Sequence, residues 1–148
     1  MKRVRKEISK LDFNESNTAL GLHALDWKDA VRKCGEILVQ NGCAEERYVD
    51  KIIENVETLG PYIVITDNFA MPHARPEDGA IRQGYALVTF DEPVSFGDKD
   101  ASVFLGFTAE DSDKHIGLLQ QIVELLNAGK VPEIAAAQTI DELRKIAE

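Results

Sequence analysis

Long apolar runs are missing from this chain. No stretch approaches the roughly 18 consecutive apolar residues of a membrane-spanning helix, and the first residues lack the apolar core of a signal peptide. The expectation is therefore a cytoplasmic protein. Cysteine is scarce: Cys34 and Cys43 fall in or just after one expected helix, which suits small buried side chains in a reducing compartment better than a disulfide framework. The only histidines are His23, His73 and His115. Neither His-x3-His nor Cys-x2-Cys spacing occurs, so no metal site is expected. There is also no Gly-x-Gly-x-x-Gly or P-loop sequence, so a nucleotide would lack its usual phosphate cradle and no cofactor is expected.

What is present describes a folded chain. At 148 residues, 44% apolar and 29% charged, with ten Gly and five Pro, it has the size and composition of one compact domain. The net charge is −9; Lys2, Arg3, Arg5, Lys6 and Lys10 against Glu7 give the first ten residues +4, which leaves −13 on the others. An acidic body repels nucleic-acid phosphates and steers basic protein surfaces toward it, whereas the basic start suits anionic lipid.

Residues 1–17 are polar and charged, with Leu11 and Phe13 scattered among them, and are expected as a loosely packed lead-in to a domain over 18–148. From Trp27 the apolar positions Trp27, Ala30, Val31, Cys34, Ile37 and Leu38 follow one helix face, with Asp26 as N-cap and Asn41-Gly42 as stop. A second helix is expected at 45–59, with Tyr48, Val49, Ile52, Ile53, Val56 and Leu59 inward and Gly60-Pro61 ending it. This pair is expected ahead of the strands. Tyr62 to Thr66 reads as a buried strand, Phe69 to Pro76 as a loop, and Tyr85 to Phe90 and Ser102 to Thr108 as further strands, with a short one at Val94 to Phe96.

Asp111-Ser112-Asp113 supply N-cap residues for a helix whose Ile116, Leu118, Leu119, Ile122, Val123, Leu125 and Leu126 are apolar nearly all round, predicting deep burial. A short helix at 131–137 and a last one opened by the capping box Thr139 to Glu142 complete the chain. Strands flanked by helices predict an α/β sandwich on a mixed sheet.

His73 is the candidate for chemistry. It lies in Ala70-Met71-Pro72-His73-Ala74-Arg75-Pro76, where two prolines restrict the backbone and reduce the entropy of aiming one side chain. An unprotonated imidazole is a good nucleophile near neutral pH, and the phosphoramidate it forms gives up its phosphoryl group readily. In an extended stretch His73 and Arg75 point to the same side, where Arg75 would stabilise phosphoryl oxygens. A loop histidine hydrogen-bonded to backbone meets the same pattern. His115, in the first turn of its helix, is placed where amide groups favour a neutral imidazole beside an anion; a surface histidine fits that spacing too. His23, in Gly21 to Leu25, reads as part of a short edge strand with a structural role.

The segments Gly60-Pro61-Tyr62-Ile63-Val64-Ile65 and Ala70-Met71-Pro72-His73-Ala74-Arg75-Pro76-Glu77-Asp78-Gly79 closely resemble the enzyme IIA component of the bacterial sugar phosphotransferase system, in its mannitol/fructose branch, and most of all the ascorbate-specific IIA. The likeness runs from about Ala19 to the C-terminus. It implies a cytoplasmic phosphocarrier with no cofactor: His73 takes a phosphoryl group from the carrier HPr and passes it to a cysteine of enzyme IIB, while the sugar crosses through the membrane component IIC. His115 matches the family's second active-site histidine. Two features depart from the pattern, Ala74 where Gly is frequent and the basic lead-in. A regulatory module whose affinity for a partner changes on phosphorylation of His73 uses the same histidine. A hydrolase with His73 as base lacks a persuasive Ser or Cys nucleophile.

Overall fold

The computed structural model describes residues 11–109 and the backbone of 115–147, with the side chains of 119–146 in the second stretch. In chain order the elements are β1 (Thr18–Leu22), α1 (Trp27–Gln40), α2 (Glu46–Leu59), β2 (Val64–Thr66), β3 (Asn68–Ala70), a 3-10 turn at Pro76–Asp78, β4 (Gly84–Ser95), β5 (Asp100–Thr108), α3 (His115–Asn127), α4 (Val131–Ala136) and α5 (Ile140–Ala147). The strands form one five-stranded mixed sheet in the order β1-β4-β5-β3-β2. It is parallel at β1/β4 and β3/β5 and antiparallel at β4/β5 and β2/β3. The expected α/β sandwich on a mixed sheet is the observed fold.

Alternation along the strands divides the core in two, because successive side chains of a strand point to opposite faces. Ala86, Val88 and Phe90 of β4, Phe104 of β5 and Ala70 of β3 pack with the inner faces of α1 and α2. Leu87, Val103, Leu105, Phe107 and Phe69 pack with Ile122 of α3, Val131 and Ile134 of α4 and Leu143 of α5. β5 is buried from Ala101 to Thr108, since both of its faces are covered, and so reads as a continuous apolar run.

Local signals explain the helix ends. Asp26 caps α1 by accepting from Asp29 N–H at 2.9 Å, and Gly60, at φ +89° behind α2, takes a conformation that a side chain would strain. The last helix has the expected capping box: Thr139 Oγ1 accepts from Glu142 N–H at 3.1 Å and the Glu142 carboxylate accepts from Thr139 N–H at 3.1 Å.

Several expectations are corrected. β1 precedes the helix pair and ends at Leu22, so His23 lies just past the strand. β2 is an edge strand with Ile65 48% exposed, because only β3 flanks it. The segment expected as a loop from Phe69 begins with β3, whose Phe69 and Ala70 are buried on opposite faces of the sheet. The short strand near Val94 is the end of β4 beyond a break in register between Thr89 and Val94. Leu59, expected inward, is 72% exposed as the last residue of α2. Deep burial of α3 is not found among its described side chains: Ile122 is buried, but Val123 is 49% exposed, since this helix lies on one face of the sheet and none of the described elements covers its outer side. The Asp111-Ser112-Asp113 cap lies outside the described residues. Residues 11–17 are tied to the body: Phe13 is buried, and Arg144 of α5 donates to its carbonyl at 2.7 Å. No helix among the described residues is long and apolar enough to cross a membrane.

Candidate functional site

His73 sits on the segment leaving β3, at the end of the sheet where the parallel neighbours β3 and β5 finish. Crevices outside the carboxyl ends of strands are the common ligand position in open α/β sheets. The segment is fastened on several sides. Met71 N–H donates to Ile63 C=O at 2.7 Å, and Phe107 N–H of β5 donates to Pro72 C=O at 3.3 Å.

Tyr48, on the inner face of α2 and 1% exposed, reaches through to the same place. Its hydroxyl proton is shared between the carbonyls of Phe107 at 2.8 Å and Ala74 at 3.2 Å, and its oxygen accepts from Ala74 N–H at 3.1 Å. Burial pushes this phenol up to about 12, so it stays protonated and able to donate at neutral pH.

Past Ala74 the chain is held by its own turn. The Asp78 carboxylate accepts from Arg75 N–H at 3.2 Å and lies 3.6 Å from Arg75 Nε. Glu77 approaches the same guanidinium at 3.6 Å. Gly79, at φ +130°, packs on α2 where an added Cβ would lie 3.1 Å from Tyr48 N and from Arg47 Cγ, and its carbonyl accepts from Glu45 N–H at 2.8 Å.

The His73 imidazole is half-buried. Nδ1 lies 2.6 Å from the Met71 carbonyl oxygen. A carbonyl can only accept, so in the neutral ring Nδ1 carries the proton and Nε2 keeps its lone pair. Phe107 stacks on the ring at 5.2 Å between centroids and 19° between planes. Tyr62 meets it edge-on at 5.3 Å and 77°, and the Tyr62 hydroxyl donates to the His73 carbonyl at 2.6 Å. Beside the ring opens a cleft of ≈ 350 Å³ lined by Ile65, Met71, Ala74, Pro76, Phe107, Ala109, Leu119, Ile122, Val123 and Leu126, in which His73 is the one titratable lining group among the described residues. Low polarity around a nucleophile strengthens its interaction with whatever charge a partner brings.

Of the residues expected from sequence, His73 and Arg75 share this segment. The Arg75 guanidinium engages Glu77 and Asp78 and is 71% exposed. His115 opens α3, the helix that contributes Leu119, Ile122, Val123 and Leu126 to the cleft; its side chain lies outside the described residues. His23 is remote. Its Nδ1 is 3.4 Å from the exposed Asp91, whereas Phe107 pairs with Tyr85 near the start of β4, six residues and roughly 20 Å away along the strand. Cys34 and Cys43 are buried and free, as expected.

Sequence reasoning missed Tyr48, Tyr62 and Phe107 as parts of the site. Each occupies an apolar position in a helix or strand pattern, which gives no sign of where a hydroxyl or ring face ends up.

Comparison with known proteins gives this arrangement a context. The sequence profile described as "Phosphoenolpyruvate-dependent sugar phosphotransferase system, EIIA 2" matches residues 12–148. The mannitol-specific cryptic phosphotransferase enzyme IIA component of Escherichia coli is 34% identical over 116 residues, 77% of this chain and 79% of that protein. The ascorbate-specific EIIA component of Salmonella typhimurium is 32% identical over 129 residues, 84% of each. In the solved complex of enzyme IIAMtl with phosphorylated enzyme IIBMtl from Escherichia coli, one chain matches with a TM-score of 0.79 at 25% identity, covering 92% of this chain and 96% of that one.

Proposed function

The chain belongs to the EIIA type 2 family of the phosphoenolpyruvate-dependent sugar phosphotransferase system, and on that premise we propose that it is a phosphocarrier that takes a phosphoryl group from phospho-HPr on His73 and passes it to a cysteine of an enzyme IIB. The observation that carries this reading is the 2.6 Å contact between His73 Nδ1 and the Met71 carbonyl, which leaves Nε2 as the nucleophilic nitrogen.

The lone pair of Nε2 attacks phosphorus while the bond from phosphorus to the donor histidine nitrogen breaks, its electron pair returning to that nitrogen. The ring then carries a positive charge with the proton still on Nδ1, which the Met71 carbonyl stabilises. In the forward step a cysteine thiolate attacks phosphorus, the Nε2–P bond breaks, and the pair returns to Nε2. No proton has to move at His73 in either direction.

His115 is assigned a supporting role: position 115 precedes Leu119 and Ile122 by four and seven residues, the same face of α3, and those two residues line the cleft beside His73. Arg75 is assigned to the phosphoryl oxygens, for which its guanidinium would leave Glu77 and Asp78. The apolar rim with Ile65 and Val123 exposed suits a transient protein partner. Enzyme IIB appears as such a partner in the solved complex of a relative. The sugar, carried through a membrane IIC, is assigned as ascorbate-like from the Met71-to-Gly79 segment and from the similarity to the ascorbate-specific protein.

The test is incubation with phosphoenolpyruvate, enzyme I and HPr, followed by intact mass at mildly basic pH. Wild type should gain one acid-labile phosphoryl group, His73→Ala none, and His115→Ala should gain it more slowly. Onward loss of the label to an ascorbate IIB, and not to a mannitol IIB, would fix the system. An unlabelled wild type with active donors refutes the carrier reading.

A further inference from the structure

The short chain piece Tyr62-Ile63 grips the His73 segment at two points. The Ile63 carbonyl accepts from Met71 N–H at 2.7 Å, and the Tyr62 hydroxyl donates to the His73 carbonyl at 2.6 Å. Between these two points lies the bond that sets the imidazole, Nδ1 to the Met71 carbonyl at 2.6 Å. A side chain bonded to a carbonyl two residues back closes a small ring, whose shape depends on the backbone torsions of Pro72 and His73. Pro72 fixes one φ by its own ring. The orientation of the His73 peptide is restrained at its carbonyl by the Tyr62 hydroxyl.

Half-burial raises the pKa of the phenol and outweighs the lowering influence of the neighbouring Asn55 side chain on α2, so it remains a donor at neutral pH. Its ring adds the edge-on contact to the imidazole at 5.3 Å. One residue thus restrains both the backbone and the ring of His73.

We infer that Tyr62 is a positioning residue for phosphoryl transfer: by anchoring the His73 carbonyl it keeps the Nδ1–H bond to Met71 closed and Nε2 aimed at the incoming phosphorus. The inference rests on His73 being the phosphoryl acceptor. The step it serves is the one written above, in which the Nε2–P bond forms as the donor P–N bond breaks and Nδ1 keeps its proton. Tyr62 gives up no proton and forms no bond to phosphorus. In-line displacement is sensitive to misplacement of the nucleophile by about 1 Å, a displacement that costs on the order of a hundredfold in rate, so a loosened anchor is visible in the transfer rate.

The experiment compares wild type, Tyr62→Phe and Asn55→Ala. Tyr62→Phe keeps the ring and its packing and removes only the hydroxyl. Two-bond proton–nitrogen NMR correlations of His73 in the unphosphorylated proteins report which ring nitrogen carries the proton. Transfer from phospho-HPr is measured as separate kcat and KM, with urea unfolding as the check on folding.

The expected result is a single Nδ1–H tautomer in wild type, a mixture of tautomers in Tyr62→Phe, and a kcat lower by about tenfold with KM unchanged. Asn55→Ala should move both readouts in the same direction by a smaller factor, and it carries the test if Tyr62→Phe does not fold. A purely structural tyrosine would lower the unfolding midpoint and leave the tautomer and kcat as they were, and that outcome overturns the inference. Failure of wild type to take any label refutes the carrier reading instead. The tautomer comparison needs no donor and still decides whether Tyr62 sets His73.

Discussion

The hydroxyl of Tyr48 lies 2.8 Å from the carbonyl of Phe107, and through that contact a helix on one face of the sheet holds the strand whose aromatic ring stacks on His73 from the other. The same hydroxyl accepts from Ala74 N–H, so one buried atom joins α2, β5 and the segment after His73. Tyr48→Phe leaves the Ala74 amide and the Phe107 carbonyl without this partner. Stability should fall by about 1–3 kcal/mol, measured by urea unfolding, and phosphoryl acceptance at His73 should slow in the folded protein.

Gly106 on β5 marks a second tight approach under the same segment. An added Cβ there would lie 2.9 Å from Cys34 Sγ and 3.5 Å from the Pro72 carbonyl. Gly106→Ala should destabilise by about 1–3 kcal/mol through overpacking. Combined with Cys34→Ala, which clears the sulfur, the double variant should be more stable than the sum of the two single losses predicts. A simple sum would show that the sulfur is not what the new methyl meets.

Burial pushes the Cys34 thiol up to about 12 from an ordinary 9.0, and Tyr48 up to about 12 from 10.0. At pH 8 native Cys34 should not react with an aromatic disulfide reagent, and it should react once urea unfolds the chain. For both groups the native pKa lies above the unfolded one. Their contribution to stability is therefore complete below about pH 9 and is lost as pH rises toward 12. Urea midpoints should decline over that interval, and Tyr48→Phe should make the decline shallower.

At the start of α1 the Asp29 carboxylate accepts from Leu25 N–H at 2.9 Å and pairs with Lys33 at 2.9 Å. The backbone bond, with Lys33 second, holds its pKa below the ordinary 3.8. A depressed carboxylate stabilises the fold above its unfolded pKa and ceases to as pH falls through the native value. Asp29→Asn should cost about 1 kcal/mol at pH 7, comparable with loss of a helix cap. The difference from wild type should close as pH drops below about 4; a gap unchanged at pH 2.5 would show that the charge is not its source.

The helix pair was legible because both of its signals are local. Trp27 to Leu38 repeats at helical spacing between Asp26 and Gly42, and packing against the sheet only reinforces that choice. The α5 capping box was legible for the same reason. β3 was not. Its three residues, Asn68 to Ala70, are too few for an alternation to be read, and they become a strand by pairing with β5 on one side and β2 on the other. Likewise an apolar helix such as α3 reads as buried whether or not a layer covers its outer side, because burial depends on neighbours that periodicity does not name.

The sequence by itself determined the α/β composition of the fold, the main helices and strands and, through two prolines around one histidine and the segments that resemble the enzyme IIA family, the place where chemistry is expected. Local propensity and spacing suffice for that, since each rests on residues within a few positions of one another. Only the tertiary structure decided how His73 is aimed. Tyr48, Tyr62 and Phe107 come to it from 25, 11 and 34 residues away, on α2, in the turn ahead of β2 and on β5, and their hydroxyls and ring faces acquire partners only when sheet order brings those segments to one end of the sheet. Hydrogen bonds act over about 3 Å, so the choice of which ring nitrogen carries the proton belongs to the folded chain.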